Sequence, residues 1–475
     1  MTLPAIILAF GLDLRLADHP ALHAAGASGA PVIPVFVLDD AAPGRWRPGG
    51  ASRWWLHGSL AALDKSLRKL GSRLILRRGE TIRELARLAD ETGALTVHVT
   101  RRYEPWAAAL ESRMNHELPA QGITVHRFGG SLLFEPEAVR TKTGAPYKVF
   151  TPFWRAAQAG APPRTPKPAP RTLPAPASWP KSDLLDGLDL RPASPDWAAG
   201  LRQAWEPGEA SALYALDRLL AGPIAAYPSD RDRPDRPGTS RLSPHLHFGE
   251  ISPATIWHRL HRHGADEAGP AKFLTEIGWR EFSYHLLSQF PELPENPFRP
   301  DFARFPWRDD ATALTAWQRG MTGYPLVDAG MRQLRATGWM HNRVRMVTAS
   351  FLVKHLRISW QHGAAWFWDN LVDADLAANS ASWQWVAGCG ADAAPYFRIF
   401  NPVKQGESFD PDGAYVRHWA PELARLPATS IHAPWLGSAL ELAAAEVRLG
   451  RDYPLPIVDH AAARNAALAA LKSMG

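Results

Sequence analysis

The segment VIPVFVLDDAAPGRWRPGGASRWWLHGSLAALDKSLRKLGSRLILR, residues 32–77, contains the pattern that decides the fold of this chain. Its two ends, 32–38 and 73–77, are short runs of the residue types that strands favour. Between them, leucines at 56, 60, 63, 67 and 70 recur at steps of three and four, which lines one face of a helix. The segment therefore predicts a strand–helix–strand unit.

Similar β-rich runs occur on both sides of this segment, at 5–10, 95–100 and 123–127, with amphipathic helical stretches between them. Repeated alternation of strands and helices predicts a parallel, doubly wound sheet. No G-x-G-x-x-G turn follows the first strand, so the sequence does not indicate a standard dinucleotide site in this sheet.

The pattern changes after a stretch, 161–180, that holds eight prolines in twenty residues. Proline fixes φ and lacks a backbone donor, so this stretch is predicted to be an interdomain linker without helix or strand. From about residue 200 helical periodicity prevails, as in 328–337, 344–356 and 364–371. We therefore predict an α/β N-terminal doubly wound parallel-sheet domain at 1–130, a linker at 131–199 and an all-α C-terminal domain at 200–475.

The composition of the 475 residues is typical of a soluble globular protein. Lys and Arg outnumber Asp and Glu by 53 to 47, and this mild excess permits a nucleic-acid partner without requiring one. Cys389 is the single cysteine, which excludes an intramolecular disulfide and fits a reducing cytoplasm. The apolar run 3–10 lacks the flanks of a signal peptide, and no stretch approaches the ~20 apolar residues of a membrane span. We expect a cytoplasmic protein without a membrane partner, and a monomer because no segment demands a dimer.

Small hydroxyl residues and a helix start come together in the segment GTSRLSP, residues 238–244. Hydroxyls and the free amides of a helix N-terminus bind phosphate oxygens, so the segment is a candidate phosphate cradle. The alternative is an ordinary Ser or Thr N-cap with Pro244 in the first helical turn. Taken by itself, the segment favours the cap.

A second candidate is the segment WMHNRVRM, residues 339–346, which holds Arg343 and Arg345 two positions apart. On a helix these arginines lie on different faces, so one can contact phosphate while the other turns inward to Asp373 or Asp375. An arginine paired with a carboxylate can be buried in a cofactor site, where a lone charge could not. The alternative is a solvated basic helix with surface carboxylates.

Aromatic residues supply a third candidate, because most of the 20 tryptophans follow residue 200, among them Trp279, Trp307, Trp317, Trp360, Trp383 and Trp385. Such a set could relay electrons to a buried cofactor, although core packing is the reading that composition alone favours. Glu276 lies three residues before Trp279, where a carboxyl group beside an aromatic platform could hydrogen-bond or protonate a substrate carbonyl. An i,i+4 pair with Arg280 is the alternative for Glu276. The histidines at 258, 261 and 263 do not share one helix face, so no metal site is predicted.

Taken together and in this order, these segments resemble the photolyase/cryptochrome family. The resemblance covers nearly the whole chain, and four stretches carry it: GTSRLSPHLHFGEIS (238–252), TEIGWREF (275–282), GYPLVDAGMRQLRATGWMHNRVRMVTASFLVKHL (323–356) and DADLAANSASWQWVAGCGADAAPYFRIFNP (373–402). Matches of this length in a fixed order are highly specific. They outweigh the alternatives that each segment leaves open by itself.

The resemblance implies that the helical domain binds FAD. It assigns FAD binding to Tyr227, Thr239, Ser240, Arg241, Leu242, Ser243, Phe273, Arg345, Asp373, Asp375 and Asn379. Within this set, Arg345 and Asp373 would form an ion pair on the flavin, Asp375 would hydrogen-bond the ring system, and Asn379 would face flavin N5. The resemblance also assigns the electron transfer that reduces the flavin to Trp383, Trp360 and Trp307, from the inside to the surface.

The substrate that the resemblance implies is UV-damaged DNA, in which a pyrimidine dimer pairs poorly and is flipped out at lower cost than a normal base. Trp279 and Trp385 would stack on the flipped dimer. Glu276, Asn342 and Met346 would line its pocket, with Glu276 in a catalytic role. The DNA backbone or the pocket rim would be contacted by Arg231, Arg280, Arg343 and Gln405.

One position separates substrates within the family. Members that act on (6-4) photoproducts carry two adjacent histidines near His341, and here Asn342 follows, which favours the cyclobutane pyrimidine dimer. The nearest alternative is a cryptochrome-like blue-light receptor, a class that often adds a long C-terminal tail. A (6-4) photolyase and a flavoprotein without repair activity are the remaining alternatives.

The antenna chromophore is the least constrained part of the resemblance. Relatives that bind methenyltetrahydrofolate often carry Asn-Glu after Tyr-Glu-x, whereas here Tyr103-Glu104-Pro105 is followed by Trp106. Methenyltetrahydrofolate is the favoured prediction, with a deazaflavin or no antenna as alternatives. Phe273 stands where many relatives have tryptophan, and Ser-Ala-Ser at 380–382 replaces Asn-Gly-Gly, so we expect modest differences in flavin tuning.

Overall fold

Five parallel strands form one sheet at the start of the chain, in the order β3-β2-β1-β4-β5. The computed structural model describes residues 3–393 and 397–474. The strands are β1 Ile6–Phe10, β2 Val32–Leu38, β3 Ile75–Arg78, β4 Thr96–Thr100 and β5 Thr124–Phe128. All five predicted strands are confirmed to within two residues, and the reversal of strand order at β1 confirms the doubly wound topology.

Helices cover the inner strands of the sheet, which explains why these strands are continuous apolar runs. Ile7, Ile33, Ile75 and Val97 come from four different strands and pack into one buried cluster with leucines of the helix at 81–92. The last strand, β5, lies at an edge and is mostly exposed. The edge position accounts for its polar sequence, Thr-Val-His-Arg-Phe.

Helices make up the remainder of the regular structure, and after residue 200 the described chain contains no strand, only an isolated bridge. None of the helices in 3–393 and 397–474 combines the length and apolar character needed to cross a bilayer. The α-helices are α1 Pro20–Ala27, α2 Gly50–Lys69, α3 Thr81–Thr92, α4 Pro105–Glu117, α5 Phe150–Ala159, α6 Ala199–Ala204, α7 Glu209–Leu220, α8 Tyr227–Asp230, α9 Ser243–His247, α10 Pro253–Gly264, α11 Ala268–Gln289, α12 Ala311–Arg319, α13 Pro325–Thr337, α14 Asn342–Ser350, α15 Trp360–Asn370, α16 Leu376–Ala387, α17 Pro402–Phe409, α18 Ala414–Trp419, α19 Ala439–Ala444 and α20 His460–Lys472.

One predicted helix, 344–356, consists of two different parts. The α-helix α14 ends at Ser350, and the chain continues as a π-helical turn over Phe351–His355. The side chains of this turn are all buried, including Lys354, whose ammonium group donates to the carbonyl of Ala387 at 2.8 Å. Burial holds the pKa of Lys354 well below its ordinary value.

The chain divides into two compact units that interleave along the sequence. Unit 1 contains Met1–Gly222, Ser240–Pro291 and Val372–Ala377, and unit 2 contains Pro223–Thr239, Glu292–Leu371 and Ala378–Gly475. The Pro-rich stretch 161–180 belongs to unit 1 and has neither helix nor strand. It is fixed by backbone bonds, from Asp18 N to Lys167 O at 2.7 Å and from Val32 N to Pro174 O at 2.8 Å. The domain boundaries given above stay a prediction.

Candidate active site

The candidate phosphate-binding segment is not a plain capped helix. Helix α9 has only five residues, and its N-cap is Leu242 rather than a serine, without a side-chain cap bond. The hydroxyl of Ser240 instead accepts from the amide of Leu242 at 3.2 Å. Arg241 has a left-handed φ of +56°, and its guanidinium lies 3.9 Å from the centre of the Trp205 ring. Burial lowers the pKa of Arg241 to about 10. The Ser N-cap alternative is therefore wrong.

The first residue of this segment, which belongs to unit 2, makes a close backbone approach. Gly238 is buried, and a Cβ built on it would lie 2.5 Å from the carbonyl oxygen of Asp230, so no larger residue fits without a shift of the chain. Tyr227, the first residue of α8, is 5% exposed. Thr239 is half-buried. The chain between Asp230 and Gly238 therefore returns close to its own backbone where the sequence predicts phosphate binding.

Helix α11 carries an aromatic platform. The indole of Trp279 stacks on the ring of Phe150, which opens helix α5, at a centroid distance of 3.8 Å and 9° between planes. Gly278 lies against Trp154, where a Cβ would come within 2.7 Å of the indole. Glu276 is half-buried and forms its ion pair with Lys272, at 3.3 Å, one turn before it. The i,i+4 ion pair that the structure shows for Glu276 is therefore the one with Lys272.

Arg280 is drawn into a buried cluster of unit 1. Its guanidinium donates to the carbonyl of Ser131 at 3.0 Å, lies 3.3 Å from Glu281, and sits 4.7 Å from the centre of the Tyr284 ring. Glu281 in turn accepts from the amides of Leu133 at 2.8 Å and Phe134 at 3.2 Å. Burial raises the pKa of Glu281 to about 7, against the lowering effect of Arg280. Since its side chain is 14% exposed, Arg280 presents little surface for the predicted DNA contact.

Asp375 is held by two side chains that the sequence analysis did not single out. The hydroxyl of Tyr284 donates to its Oδ2, and Nδ1 of His247 lies 3.5 Å from the same oxygen. Burial would raise the pKa of Asp375, but His247, Arg280 and Tyr284 together lower it to about 2. Asp375 and its neighbour Asp373 are each 8% exposed.

The two arginines of helix α14 contact different groups, in agreement with their separation of two residues. Arg343 pairs with Asp232 at 2.9 Å and lies 4.3 Å from the centre of the Phe409 ring. Arg345 donates from Nε to the carbonyl of Met340 at 2.7 Å. The Arg345–Asp373 ion pair stays a prediction.

Trp383 sits in an aromatic cluster of unit 2. It is 2% exposed and makes edge contacts with Phe367 at 5.0 Å and with Trp317 at 6.2 Å between ring centroids. Trp360 is 3% exposed, whereas Trp307 is half-buried and packs on Phe305 at 4.4 Å. Exposure along the predicted relay therefore rises at its last member.

Polar and aromatic side chains of unit 2 supply the remaining predicted ligands. Asn379 is buried, and its Nδ2 donates to the carbonyl of Ala364 at 3.1 Å, which orients the amide. Trp385 donates from its indole to the carbonyl of Asp392 at 3.1 Å. Gln405 has a buried Oε1 without a hydrogen-bond partner in the part of the chain that the structure describes. Other predicted positions differ in exposure: Asn342 is exposed, while Met346 and Arg231 are half-buried.

Comparison with known proteins identifies the family. Residues 6–172 match the family model described as DNA photolyase, and residues 273–473 match the FAD binding domain of DNA photolyase. A deoxyribodipyrimidine photo-lyase of Agrobacterium fabrum is 52% identical, covering 98% of this chain and 97% of its own length. The chain belongs to the DNA photolyase family. The identification confirms the family resemblance of the four stretches.

Two further relatives show how this photolyase compares with other members. The crystal structure of a bacterial class III photolyase from Agrobacterium tumefaciens superposes with a TM-score of 0.96 at 51% identity, covering 100% of this chain and 98% of that one. Cryptochrome-1 of Arabidopsis thaliana is 41% identical, over 96% of this chain and 69% of its own length. The sheet-plus-helices architecture of this photolyase is thus that of a solved family member.

The donor set of this photolyase suits FAD. Hydroxyl groups at 239, 240 and 243 are donors of the kind that phosphates require. Asp375 and Asn379 are buried polar side chains of the kind that ring nitrogens and carbonyls need as partners. Nδ1 of His247 is buried and lies 3.5 Å from Oδ2 of Asp375, but this contact lacks hydrogen-bond geometry, so the atom has no hydrogen-bond partner among the described residues. Buried polar atoms are normally paired, so these groups fit a polar ligand.

Proposed function

We propose that this photolyase repairs cyclobutane pyrimidine dimers in DNA under blue light. The observation that carries the proposal is the platform on α11, where Trp279 is supported from one side by Phe150 and is preceded by Glu276. An indole held flat by a second ring needs no reordering before it stacks on a flipped-out base, and stacking contributes about 1–3 kcal/mol per base. The ion pair with Lys272 on the same helix holds the carboxyl group of Glu276 in position before the lesion binds.

FAD is the cofactor that the chain binds, and when bound in its reduced form it would supply the light-driven electron-transfer chemistry that splits the cyclobutane ring. The residues proposed to hold it are Tyr227, Thr239, Ser240, Arg241, Leu242, Ser243, Phe273, Arg345, Asp373, Asp375 and Asn379. The hydroxyls and short turn before α9 bind its phosphates. Asp375 would accept a hydrogen bond from the ring system, and Asn379, whose amide is anchored on the carbonyl of Ala364, would face N5. The overall reaction breaks carbon–carbon bonds without net oxidation, as in a lyase.

For the lesion, the carboxyl group of Glu276 is proposed to hydrogen-bond the dimer and Trp385 to stack on it. Asn342 and Met346 are proposed to line its pocket. Arg231, Arg280, Arg343 and Gln405 are proposed for the DNA backbone or the pocket rim. Arg343 already pairs with Asp232, so a DNA phosphate has to share Arg343 with that carboxylate or displace the carboxylate from it. Binding through phosphates predicts an affinity that falls with salt and depends little on the surrounding sequence.

For the photoreduction that keeps FAD in its working state, we propose electron flow through Trp383, Trp360 and Trp307. The low exposure of the first two and the partial exposure of the third suit a path from a buried group to solvent. Photoreduction of the flavin in a Trp383→Phe variant tests this assignment.

The favoured antenna is methenyltetrahydrofolate rather than a deazaflavin. Ligands of doubly wound sheets bind where strand order reverses, here at the carboxyl ends of β1 and β4. In unit 1 this place holds a cavity of about 20 Å³ lined by Leu12, Arg101, Arg102, Glu104 and Tyr284 among others. That volume accepts a water molecule and neither of these chromophores, so the preference for the folate rests on the sequence. Extraction of the protein's chromophores and their absorption spectra test this choice.

The composition is the basis for proposing a cytoplasmic protein. A monomer is proposed because no segment demands a dimer, and light scattering tests the oligomeric state.

The decisive experiment is a repair assay on thymine-dimer DNA with the reduced protein, in blue light and in the dark. Loss of dimers only in the light supports the proposal. Bound, photoreducible FAD without repair favours the cryptochrome-like receptor, and repair of (6-4) photoproducts alone favours the other photolyase class. The Asn342 that follows His341 argues against that last outcome.

A further inference from the structure

A buried carboxylate in unit 1 has its orientation fixed by side chains from two distant parts of the chain. Asp375 receives the hydroxyl of Tyr284, which lies 91 positions earlier on α11, and it faces His247 at the end of α9. Both contacts are to Oδ2: the first is a hydrogen bond from Tyr284, and the second is a polar contact of His247 Nδ1 at 3.5 Å. We call the three residues Asp375, Tyr284 and His247 the carboxylate clamp.

The clamp keeps Asp375 in its anionic form. An ionised carboxyl group this deeply buried is costly unless donors or cations surround it. Tyr284 supplies a donor, and the guanidinium of Arg280 supplies a positive charge beside the Tyr284 ring. Glu104 is a second buried carboxyl group whose charge acts on Asp375, and Arg102 neutralises it at 2.7 Å. The negative charges of Asp375 and Glu104 are thus balanced by Arg280 and Arg102. Removal of Tyr284 takes away the hydrogen bond that Asp375 needs in addition.

The position of Asp375 in the chain gives the clamp its significance. Asp375 directly precedes helix α16, which contains Asn379 and Trp383. A carboxylate rotates freely about its side-chain bonds unless its oxygens are bound. With Oδ2 held by the clamp, the direction of Oδ1 and the start of α16 are fixed together.

We propose that Tyr284 and His247 are positioning residues that orient Asp375 as the hydrogen-bond acceptor for the flavin ring. The inference rests on the proposed placement of the ring at Asp375, and it deepens that placement by naming what holds the acceptor. Neither Tyr284 nor His247 touches the ring in this scheme. Their contribution is that the acceptor is in place before FAD binds. Less conformational entropy is then lost on binding.

Tyr284→Phe in the FAD-loaded protein tests the clamp, because it removes one hydroxyl and keeps the ring beside Arg280. We expect FAD to leave this variant about three to ten times faster than the wild type, as the loss of one hydrogen bond predicts. The rise in flavin fluorescence measures the rate of release. We also expect the fine structure of the flavin absorption band to shift, which a loss of general stability would not cause.

Tyr103→Phe is the matched control. Tyr103 is 5% exposed and its ring meets that of Tyr284 at 5.7 Å, but its hydroxyl donates to Glu135 at 2.8 Å instead of to Asp375. We expect wild-type release and an unchanged flavin spectrum. Equal behaviour of the Tyr284 and Tyr103 variants would overturn the clamp.

Two more variants separate the clamp from the flavin placement on which it rests. If Asp375→Asn leaves release and spectrum unchanged, the ring is not at Asp375 and the placement itself fails. If Asp375→Asn changes both while Tyr284→Phe does not, only the clamp fails. Should the Tyr284 variant not fold, His247→Gln tests the same relationship from α9, and wild-type release in that variant overturns the proposal.

Discussion

The indole of Trp279 and the phenyl ring of Phe150 lie 3.8 Å apart and 9° from parallel, so one face of Trp279 is covered before any substrate binds. Phe150→Leu keeps an apolar group there and removes the flat support. We expect the affinity for dimer-containing DNA in the dark to fall by about threefold to tenfold, the scale of one aromatic pair. Fluorescence anisotropy of a labelled oligonucleotide measures it.

Phe153→Leu is the control for that variant, because Phe153 is on the same helix but packs on Phe282 and His285. Its DNA affinity should match the wild type. Equal affinities in all three proteins would mean that Phe150 does not support the platform.

Trp383→Phe should block photoreduction of the flavin while repair by chemically pre-reduced protein stays near the wild-type rate. An indole passes an electron on far more readily than a phenyl ring, and Trp383 is the innermost member of the proposed relay. Absorbance changes under blue light with an external donor measure photoreduction. Trp317→Phe is the control, because Trp317 also contacts Trp383 but donates its indole N–H to the carbonyl of Thr348 at 2.9 Å. Normal photoreduction in the Trp383 variant would contradict the relay.

Gly363→Ala should destabilise the protein and disturb Trp383. A Cβ at Gly363 would lie 2.1 Å and 2.4 Å from two atoms of the Trp383 ring, closer than any packing allows. Overpacking of this kind costs about 1–3 kcal/mol. The measurement is the melting temperature, together with the near-UV circular dichroism of the aromatic cluster. Gly222→Ala is the control, since a Cβ there meets nothing within 4 Å, and a similar drop in both would refute the steric argument.

Glu281→Gln should change how stability depends on pH. The folded-state pKa of Glu281, about 7, lies above the ordinary value of 4.5, so the folded protein retains a proton that the unfolded chain has lost. Stability from this group is complete below pH 4.5 and is lost as the pH rises through 7. Glutamine keeps an acceptor for the amides of Leu133 and Phe134 and removes the titration.

Melting temperatures between pH 5 and pH 8 test this prediction. The decline toward high pH should be smaller in Glu281→Gln than in the wild type. Glu117→Gln provides the comparison, because Glu117 is an exposed carboxylate paired with Arg113 on α4. An identical pH profile for wild type and the Glu281 variant would show that Glu281 does not titrate in this range.

The strands could be predicted because their signal is local. The runs at 32–38 and 5–10 are apolar throughout. Short runs of this kind are typical of strands that are buried on both faces of a parallel sheet. The helix at 344–356 was predicted as one element because apolar spacing does not distinguish an α-helical turn from a π-helical one. The structure ends α14 at Ser350, and only backbone geometry reveals the change.

Side-chain partners were less predictable than elements. Helical spacing offered Arg280 as a partner of Glu276, but Lys272 stands at the equivalent distance in the other direction, and the buried Glu281 and Ser131 attract Arg280 instead. Tyr284 and His247 were missed because their partner lies 91 and 128 positions away, as the residue numbers show. The one available signal was that Tyr284 follows Arg280 by four residues on a helix already considered functional.

The membership of Val372–Ala377 in unit 1 has a consequence for the order of assembly. The other segments of that unit, up to Pro291, leave the ribosome at least 80 residues earlier. During synthesis the five-stranded sheet can therefore form first. Tyr284 and Arg280 are then present before Asp375, the carboxylate that they contact or neutralise, has been made. Asp375 completes unit 1 only after most of the intervening chain of unit 2 has emerged. A chain interrupted before residue 372 lacks that carboxylate. Under the proposed flavin placement, the last step in building unit 1 is also the step that supplies the acceptor for the cofactor.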